Sequence, residues 1–306
     1  MPRLDGKAVV VTGGAGLLGA AFCRSLAEHG ASVLINDVNA KAAEALATGI
    51  GQAGGTASPL IEPVDSWEGG RRVIEACVER YGRIDCLVNA AHRTIPKPIW
   101  ELTEAEFDLT VDIHLKGHFA CTSHAARHMM KQGSGSIINL ASRAMAGLER
   151  FSAYGASKGG IISATFTWAL ELAPYGIRVN ALRPAARPLH EGRQPSMHMP
   201  WRRRPGQTLD EMRDETPPPE TVAPLVIYLA SDASDWVSGQ VLFLSGDSLA
   251  VVRHPMEERF AFLPHGWSVE DLERYFRDSL GLAFERPSMG GGPYRWYGGV
   301  GKDTRA

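Results

Sequence analysis

Only four cysteines occur in the 306 residues, Cys23, Cys77, Cys86 and Cys121. They lack metal-ligand spacing and fall in predicted helices or strands, so they read as buried apolar thiols and no metal is expected. Free thiols suit a reducing compartment, and a cytoplasmic protein is expected. No apolar run reaches the ~18 residues of a membrane span, and the first residues enter a strand without the regions of a secretion signal. An excess of charge is missing too. The net charge of -2 and pI of ≈ 6.6 give no signal for nucleic acid or a membrane surface. What remains is 44% hydrophobic and 22% charged, an ordinary globular composition for one large domain or two small ones.

The stretch that carries chemistry runs from Ser142 to Lys158. Residues four apart share a helix face, so Tyr154 and Lys158 point into one cleft if this stretch is helical. A fixed cation near a phenol favours the phenolate and draws its pKa down toward the working range. Such a tyrosine trades protons with an alcohol. Tyr-x-x-x-Lys alone also describes a solvated helix face, so the rest of the chain must support it.

A β-branched run at 7–12 leads straight into Gly13-Gly14-Ala15-Gly16-Leu17-Leu18-Gly19 and then a helical pattern. Strand, glycine turn and helix N-terminus together make an anion site, because bare backbone allows close approach and free N–H groups face a phosphate. A second strand over 32–37 ends on Asp37, placed to bond the adenine-ribose hydroxyls of a dinucleotide. A 2'-phosphate there would meet the carboxylate, which favours NAD over NADP; Lys41 lies close enough to weigh the other way.

The alternation continues with helices over 40–53 and 67–81, strands over 57–64 and 84–89, and a long helix over 103–131 broken once. A strand over 136–141 delivers Ser142. A helix over 152–174, a strand over 177–182, a helix over 220–231 and a strand over 240–244 follow. This order predicts an α/β fold, a Rossmann-type doubly wound parallel sheet covered on both faces. Residues 1–249 form the nucleotide-binding domain, with a substrate loop over 185–218 where the pattern lapses. Residues 250–306 form an extension with one helix over 269–280, expected to pack on its own or a neighbouring subunit.

Taken together, these residues resemble the classical short-chain dehydrogenase/reductase family over residues 4–248. The resemblance rests on the glycine turn, Asp37, Val64-Asp65, Val88-Asn89-Ala90-Ala91, Ser142, and Tyr154 with Lys158. It implies a seven-stranded parallel sheet with NAD across its C-terminal edge. Tyr154 would be the acid-base residue, Lys158 would hold the nicotinamide ribose and lower the Tyr154 pKa, and Ser142 would bond the substrate oxygen. The cofactor would be held by Gly13, Gly16, Leu17, Leu18 and Gly19, by Asp37, and by Val64 and Asp65 near the adenine. Asn89, Ala90 and Ala91 would line the adenosine side, with Pro184, Ala185 and Arg187 on the nicotinamide side.

The departures bear on subclass and substrate. The glycine spacing is that of the family's extended branch, with Leu17 in place of the middle glycine. His92 stands where a glycine is usual. His114 stands where the family has the asparagine that holds a relay water, and is read as a fourth catalytic residue or as a histidine packed at the helix break. Ala185 and Leu189 replace a glycine and a threonine near the nicotinamide. Arg183 and Arg187 flank that turn, where a charge could meet a carboxylate or phosphate.

The activity expected is interconversion of a secondary alcohol and a ketone in an apolar pocket, for which Leu148, Phe151, Met197, Met199 and Trp201 are candidates. A 3-hydroxyacyl-CoA substrate is an alternative, suggested by His114 and the basic run Arg202-Arg203-Arg204. An inactive NAD-binding sensor is the alternative from another class. A sugar-nucleotide epimerase is disfavoured by the small tail. A homodimer or homotetramer is implied by the resemblance, with Ala164, Thr165, Trp168, Ala169 and Leu172 as an apolar stripe on the 152–174 helix. The same spacing also describes a helix facing its own sheet.

Overall fold

A computed structural model describes residues 3–186, 217–255, 261–264, 266–276 and 280. The chain divides into two compact units, Met1–Val252 and Arg253–Ala306. In the first, the strands are β1 (Ala8–Thr12), β2 (Ser32–Asp37), β3 (Thr56–Ile61), β4 (Cys86–Asn89), β5 (Gly135–Leu140), β6 (Ile177–Pro184), β7 (Val241–Ser245) and β8 (Ser248–Val252). Between them lie α1 (Leu17–Glu28), α2 (Ala40–Gln52), α3 (Trp67–Tyr81), α4 (Glu104–Val111), α5 (Gly117–Gln132), α6 (Ser152–Leu172) and α7 (Ala223–Ala230).

One sheet runs in the order β3-β2-β1-β4-β5-β6-β7-β8. The first seven strands are mutually parallel, as expected, and the eighth is antiparallel to β7. That eighth strand corrects the seven-stranded expectation and carries the first unit past residue 249. It forms because the chain reverses at Gly246, at φ 59°, where a side chain would be strained. Strand order reverses about β1, which pairs with both β2 and β4. In open α/β sheets a ligand crevice opens beyond the strand ends at such a switch.

The apolar run Ala8–Val11 of β1 is explained by two cores. Val9 and Val11 enter one, with Phe22 and Leu26 of α1 and Val226 of α7. Ala8 and Val10 enter the other, with Ile74 of α3, Met129 of α5 and Trp168 of α6. Alternate side chains of a strand point to opposite faces, so a strand covered on both must be apolar throughout. Each fully buried aliphatic side chain contributes roughly 1.5–3 kcal/mol.

Several boundaries shift. β3 ends at Ile61, short of the expected 64, with Pro59 tolerated because β3 is an edge strand. β6 runs on to Pro184 because Arg183 and Pro184 pair with Phe243 and Leu244. The expected break in the long helix is a five-residue π turn, Asp112–Lys116, between α4 and α5. α6 turns its Ala164, Trp168, Ala169 and Leu172 into its own core, and Thr165 donates to the Ile161 carbonyl. The stripe is therefore the sheet-facing side of α6 and gives no assembly surface.

In the second unit the described helix is α8 (Val269–Tyr275), ending before the expected 280. Ser268 and Asp271 cap it reciprocally.

Candidate active site

The glycine turn is built by close approach. Gly13 sits at φ 63°, and a Cβ there would lie 2.7 Å from Cα of Ala91. The same contact is held from the other side by Thr12, whose Oγ1 accepts from the backbone N–H of Ala90 at 3.0 Å and of Ala91 at 3.2 Å. α1 then starts at Leu17 with Gly16 as an N-cap that offers no side chain, and no acid lies in its first turn. Its N–H groups are left to face an anion. Asp37 closes the arrangement: one carboxylate oxygen accepts from Ala15 N–H at 3.0 Å and the other from Asn39 N–H at 2.9 Å.

Beyond these strand ends opens a cleft of ≈ 770 Å³. Gly13, Gly16, Leu17, Leu18 and Gly19 form one wall, and Ala90, His92, Arg93 and Thr94 the other. Bare glycine, uncapped helix N–H groups and a fixed carboxylate at the next strand end are the donor and acceptor set that a dinucleotide requires. Arg93 and Thr94 are absent from the sequence reading. Their signal was their place directly after a strand that ends at the switch point.

Other expected cofactor residues are placed differently. Val64 is buried and its main-chain oxygen lies where a Cβ on Gly117 would fall. Neither Val64 nor Asp65 is in the walls of this cleft. Asn89 turns its amide into the core, donating to Thr122 Oγ1 at 3.2 Å and Asn139 Oδ1 at 3.0 Å. Its register partner across the sheet is Asn139, which donates to Thr165 Oγ1 at 3.0 Å. The Asn89 side chain therefore braces β4 against β5 and α5 and, through Asn139, against α6. The Ala185 N–H donates to Leu244 at 3.2 Å, fixing the chain just after Pro184. Arg183 lies over the Phe243 ring, 4.4 Å from its centroid. Arg187, Leu189, Met197, Met199, Trp201 and Arg202 to Arg204 lie outside the described residues.

The expected catalytic group is gathered in one place. Ser142 follows β5, and its hydroxyl accepts from Ala144 N–H at 3.2 Å and bonds the Tyr154 hydroxyl. Tyr154 and Lys158 share one face of α6, with the Lys158 ammonium 5.7 Å from the Tyr154 ring centroid. That ammonium is buried and donates to the Leu140 carbonyl at 2.6 Å. His114, in the π turn, packs its ring edge-on to Tyr154 at 5.1 Å between centroids. Phe151 meets the same ring at 6.1 Å. The π turn matters here, because one extra residue per turn rotates the side chains that follow it.

The electrostatics correct one expectation. Burial raises the Tyr154 pKa above 10.0, and the hydrogen bond from Ser142 only partly offsets this. Burial likewise lowers Lys158 to about 7. Burial works against the charged form of each group, so proximity alone does not acidify the phenol. His114 is pushed down to about 3 by burial and by the Lys158 charge, and so is neutral near pH 7.

Comparison with known proteins agrees with this geometry. The family model described as short chain dehydrogenase matches residues 7–187. The 3-oxoacyl-[acyl-carrier-protein] reductase of Thermotoga maritima is 34% identical over 247 residues, covering 80% of this chain and 98% of that protein. The cis-4-hydroxycyclohexanecarboxylate dehydrogenase of Sinomonas cyclohexanicum is 36% identical over 249 residues, 80% of this chain and 97% of that one. The crystal structure of a short chain dehydrogenase from Mycobacterium avium superposes with a TM-score of 0.78 at 31% identity, covering 91% of this chain and 95% of that chain. The chain therefore belongs to the short-chain dehydrogenase family, whose dehydrogenases and reductases use a nicotinamide cofactor on small molecules.

Proposed function

We propose that this enzyme interconverts a secondary alcohol and a ketone, with NAD preferred and Tyr154 as the residue that moves the proton. The observation that carries the reading is the meeting of Ser142, Tyr154 and Lys158 beside a cleft walled by the glycine turn. Bound there, the nicotinamide supplies or accepts the hydride. Ser142 orients the substrate oxygen through its hydroxyl. In reduction, Tyr154 donates its Oη proton to that oxygen as the alcohol forms; in oxidation the phenolate takes the proton back. Lys158 holds the ribose and, as a cation, favours the phenolate once its charge is retained.

Preference for NAD rests on Asp37, whose carboxylate is fixed at the end of β2. A cyclic alcohol is the substrate class best supported, because one relative at 36% identity is named for a hydroxycyclohexane carboxylate. A 3-hydroxyacyl thioester is the second reading, supported by the relative named for a 3-oxoacyl group. A panel of cyclic, acyclic and 3-hydroxyacyl substrates, followed by NADH absorbance with NAD and with NADP, tests the reading. Turnover should fall by roughly 10²–10⁴-fold in Tyr154→Phe with NADH still bound. Undiminished turnover in that variant refutes it.

A further inference from the structure

The described walls of the cleft hold no acid, and Arg93 is their one residue charged throughout the neutral pH range. Its hydrogen bonds to described residues are made by the main chain, and no acid among those residues is paired with its guanidinium. On a convex surface such an arginine is simply solvated. Here it shares a concavity with bare glycine and with helix N–H groups that no side chain caps.

The main chain around it is held at two points. The Arg93 oxygen lies 2.7 Å from Nε2 of His114, whose ring packs on Tyr154. Two residues earlier, Ala91 abuts Gly13, and its N–H donates to Thr12 Oγ1 at 3.2 Å. Arg93 is therefore anchored between the glycine turn and the tyrosine assigned to proton transfer. A dinucleotide with its adenosine toward Asp37 and its nicotinamide toward Tyr154 brings its doubly negative diphosphate to that middle stretch. A helix N-terminus offers only about half an elementary charge, which leaves most of a diphosphate uncompensated. The other cation of the site, Lys158, is buried and donates to the Leu140 carbonyl.

We propose that Arg93 binds the diphosphate of the cofactor from the wall facing the glycine turn, supplying the full positive charge that the start of α1 lacks. A guanidinium suits the task because it presents paired N–H donors to phosphate oxygens. A main chain that is already fixed loses little freedom when the ligand arrives. The diphosphate is common to NAD and NADP, so this role is independent of the choice made at Asp37. It rests on the dinucleotide reading of the cleft.

The test uses the full chain with Arg93→Gln, which keeps a polar side chain without the charge, and Arg93→Lys, which keeps the charge without the fork. NADH affinity by fluorescence titration and ADP-ribose affinity by calorimetry are read without turnover. Arg93→Gln should weaken both by about tenfold, the scale of one hydrogen bond to a charged group, and Arg93→Lys should recover part of the loss. Adenosine, which lacks the diphosphate, should compete with NADH equally well in Arg93→Gln and the wild type. The gap in NADH affinity should narrow as salt rises from about 0.01 M to about 1 M, since only the wild-type contact is screened. Wild-type affinity for NADH and ADP-ribose in Arg93→Gln overturns the inference, as does an equal loss for adenosine. So does an unchanged NADH affinity with a raised KM for the alcohol, which would place the guanidinium at the substrate. Equal losses in the Gln and Lys variants that track their thermal unfolding would reduce Arg93 to a structural support. A wild type that binds neither NADH nor ADP-ribose would sink the dinucleotide reading itself, whereas failure of the alcohol reading shows as turnover in Tyr154→Phe and leaves these affinities untouched.

Discussion

Nε2 of His114 lies 2.7 Å from the main-chain oxygen of Arg93 and 3.1 Å from its main-chain nitrogen. One ring nitrogen cannot donate and accept at once, and the shorter contact identifies it as a donor to the carbonyl. The π turn is thereby tied to the loop after β4, which walls the cleft, while the same ring packs on Tyr154. Cofactor wall and proton-transfer residue share one fixed support.

Burial opposes protonation of this ring, and the sign of the effect is set. His114 is lowered from 6.5 to about 3, so the unfolded chain takes up the proton first. Stability from the neutral ring is complete above the unfolded value and is lost as pH falls from 6.5 toward 3. The slope is about 1.4 kcal/mol per pH unit for each such histidine. Urea unfolding followed from roughly pH 7.5 to 5 should show a smaller loss in His114→Asn than in the wild type. Parallel slopes would show that His114 does not titrate this way.

Lys158 gives an opposed test of function and stability. Its ammonium is fully buried and burial lowers it to about 7, well below the 10.5 of a free lysine. The folded protein bears the cost of the buried charge below pH ~7 and is relieved as pH rises toward the unfolded value. Lys158→Met fills similar space without the charge. It should raise the unfolding free energy by about 1–4 kcal/mol near pH 6 while abolishing turnover. A variant less stable than the wild type at that pH would mean that the ammonium is better compensated than its partners indicate.

What the sequence disclosed were features set by local chemistry. The glycine turn, Asp37 and the β1 run were legible because each is a short pattern with one physical reading. β8 was not, since Leu249 and Val251 are 66% and 67% exposed and give no inside-outside alternation. The inward turn of Asn89 depends on its pairing with Asn139, fifty residues away, and no local pattern fixes that register. The Tyr154 pKa failed for a related reason. Four-residue spacing predicts that Tyr154 and Lys158 share a face, but says nothing of how deeply either is buried.

Glycine roles can be separated by a matched pair. A Cβ on Gly19 would fall on the Gly13 carbonyl oxygen and lie 2.8 Å from Gly14 Cα, all of it turn backbone. Gly19→Ala should cost about 1–3 kcal/mol by overpacking and weaken NADH binding. Gly49, in the exposed part of α2, has nothing within 4 Å of the same position. Gly49→Ala should stabilise by about 0.5–1 kcal/mol through helix propensity, with NADH affinity unchanged. Thermal unfolding and NADH titration of the two variants check both. Equal behaviour would show that the turn has slack its geometry does not suggest.

Asp37 tests cofactor choice, because its charge and its hydrogen bonds act in different ways. Both oxygens are engaged by Ala15 and Asn39, so the carboxylate is held rigidly at the end of β2 and cannot swing aside for a 2'-phosphate. A fixed anion facing a phosphate is repulsive even where solvent screens it. Asp37→Ser removes the charge while leaving a hydroxyl for the turn. NAD should then bind more weakly, since its ribose loses a charged acceptor, and NADP more strongly. The ratio of the two dissociation constants should move by about tenfold, the equivalent of about 1.4 kcal/mol. Lys41, exposed near the start of α2, would aid the phosphate once the carboxylate is gone, so Lys41→Ala on that background should reverse part of the gain. If the ratio stays fixed in Asp37→Ser, then the carboxylate serves the glycine turn alone, and the choice between the cofactors is made elsewhere in the cleft.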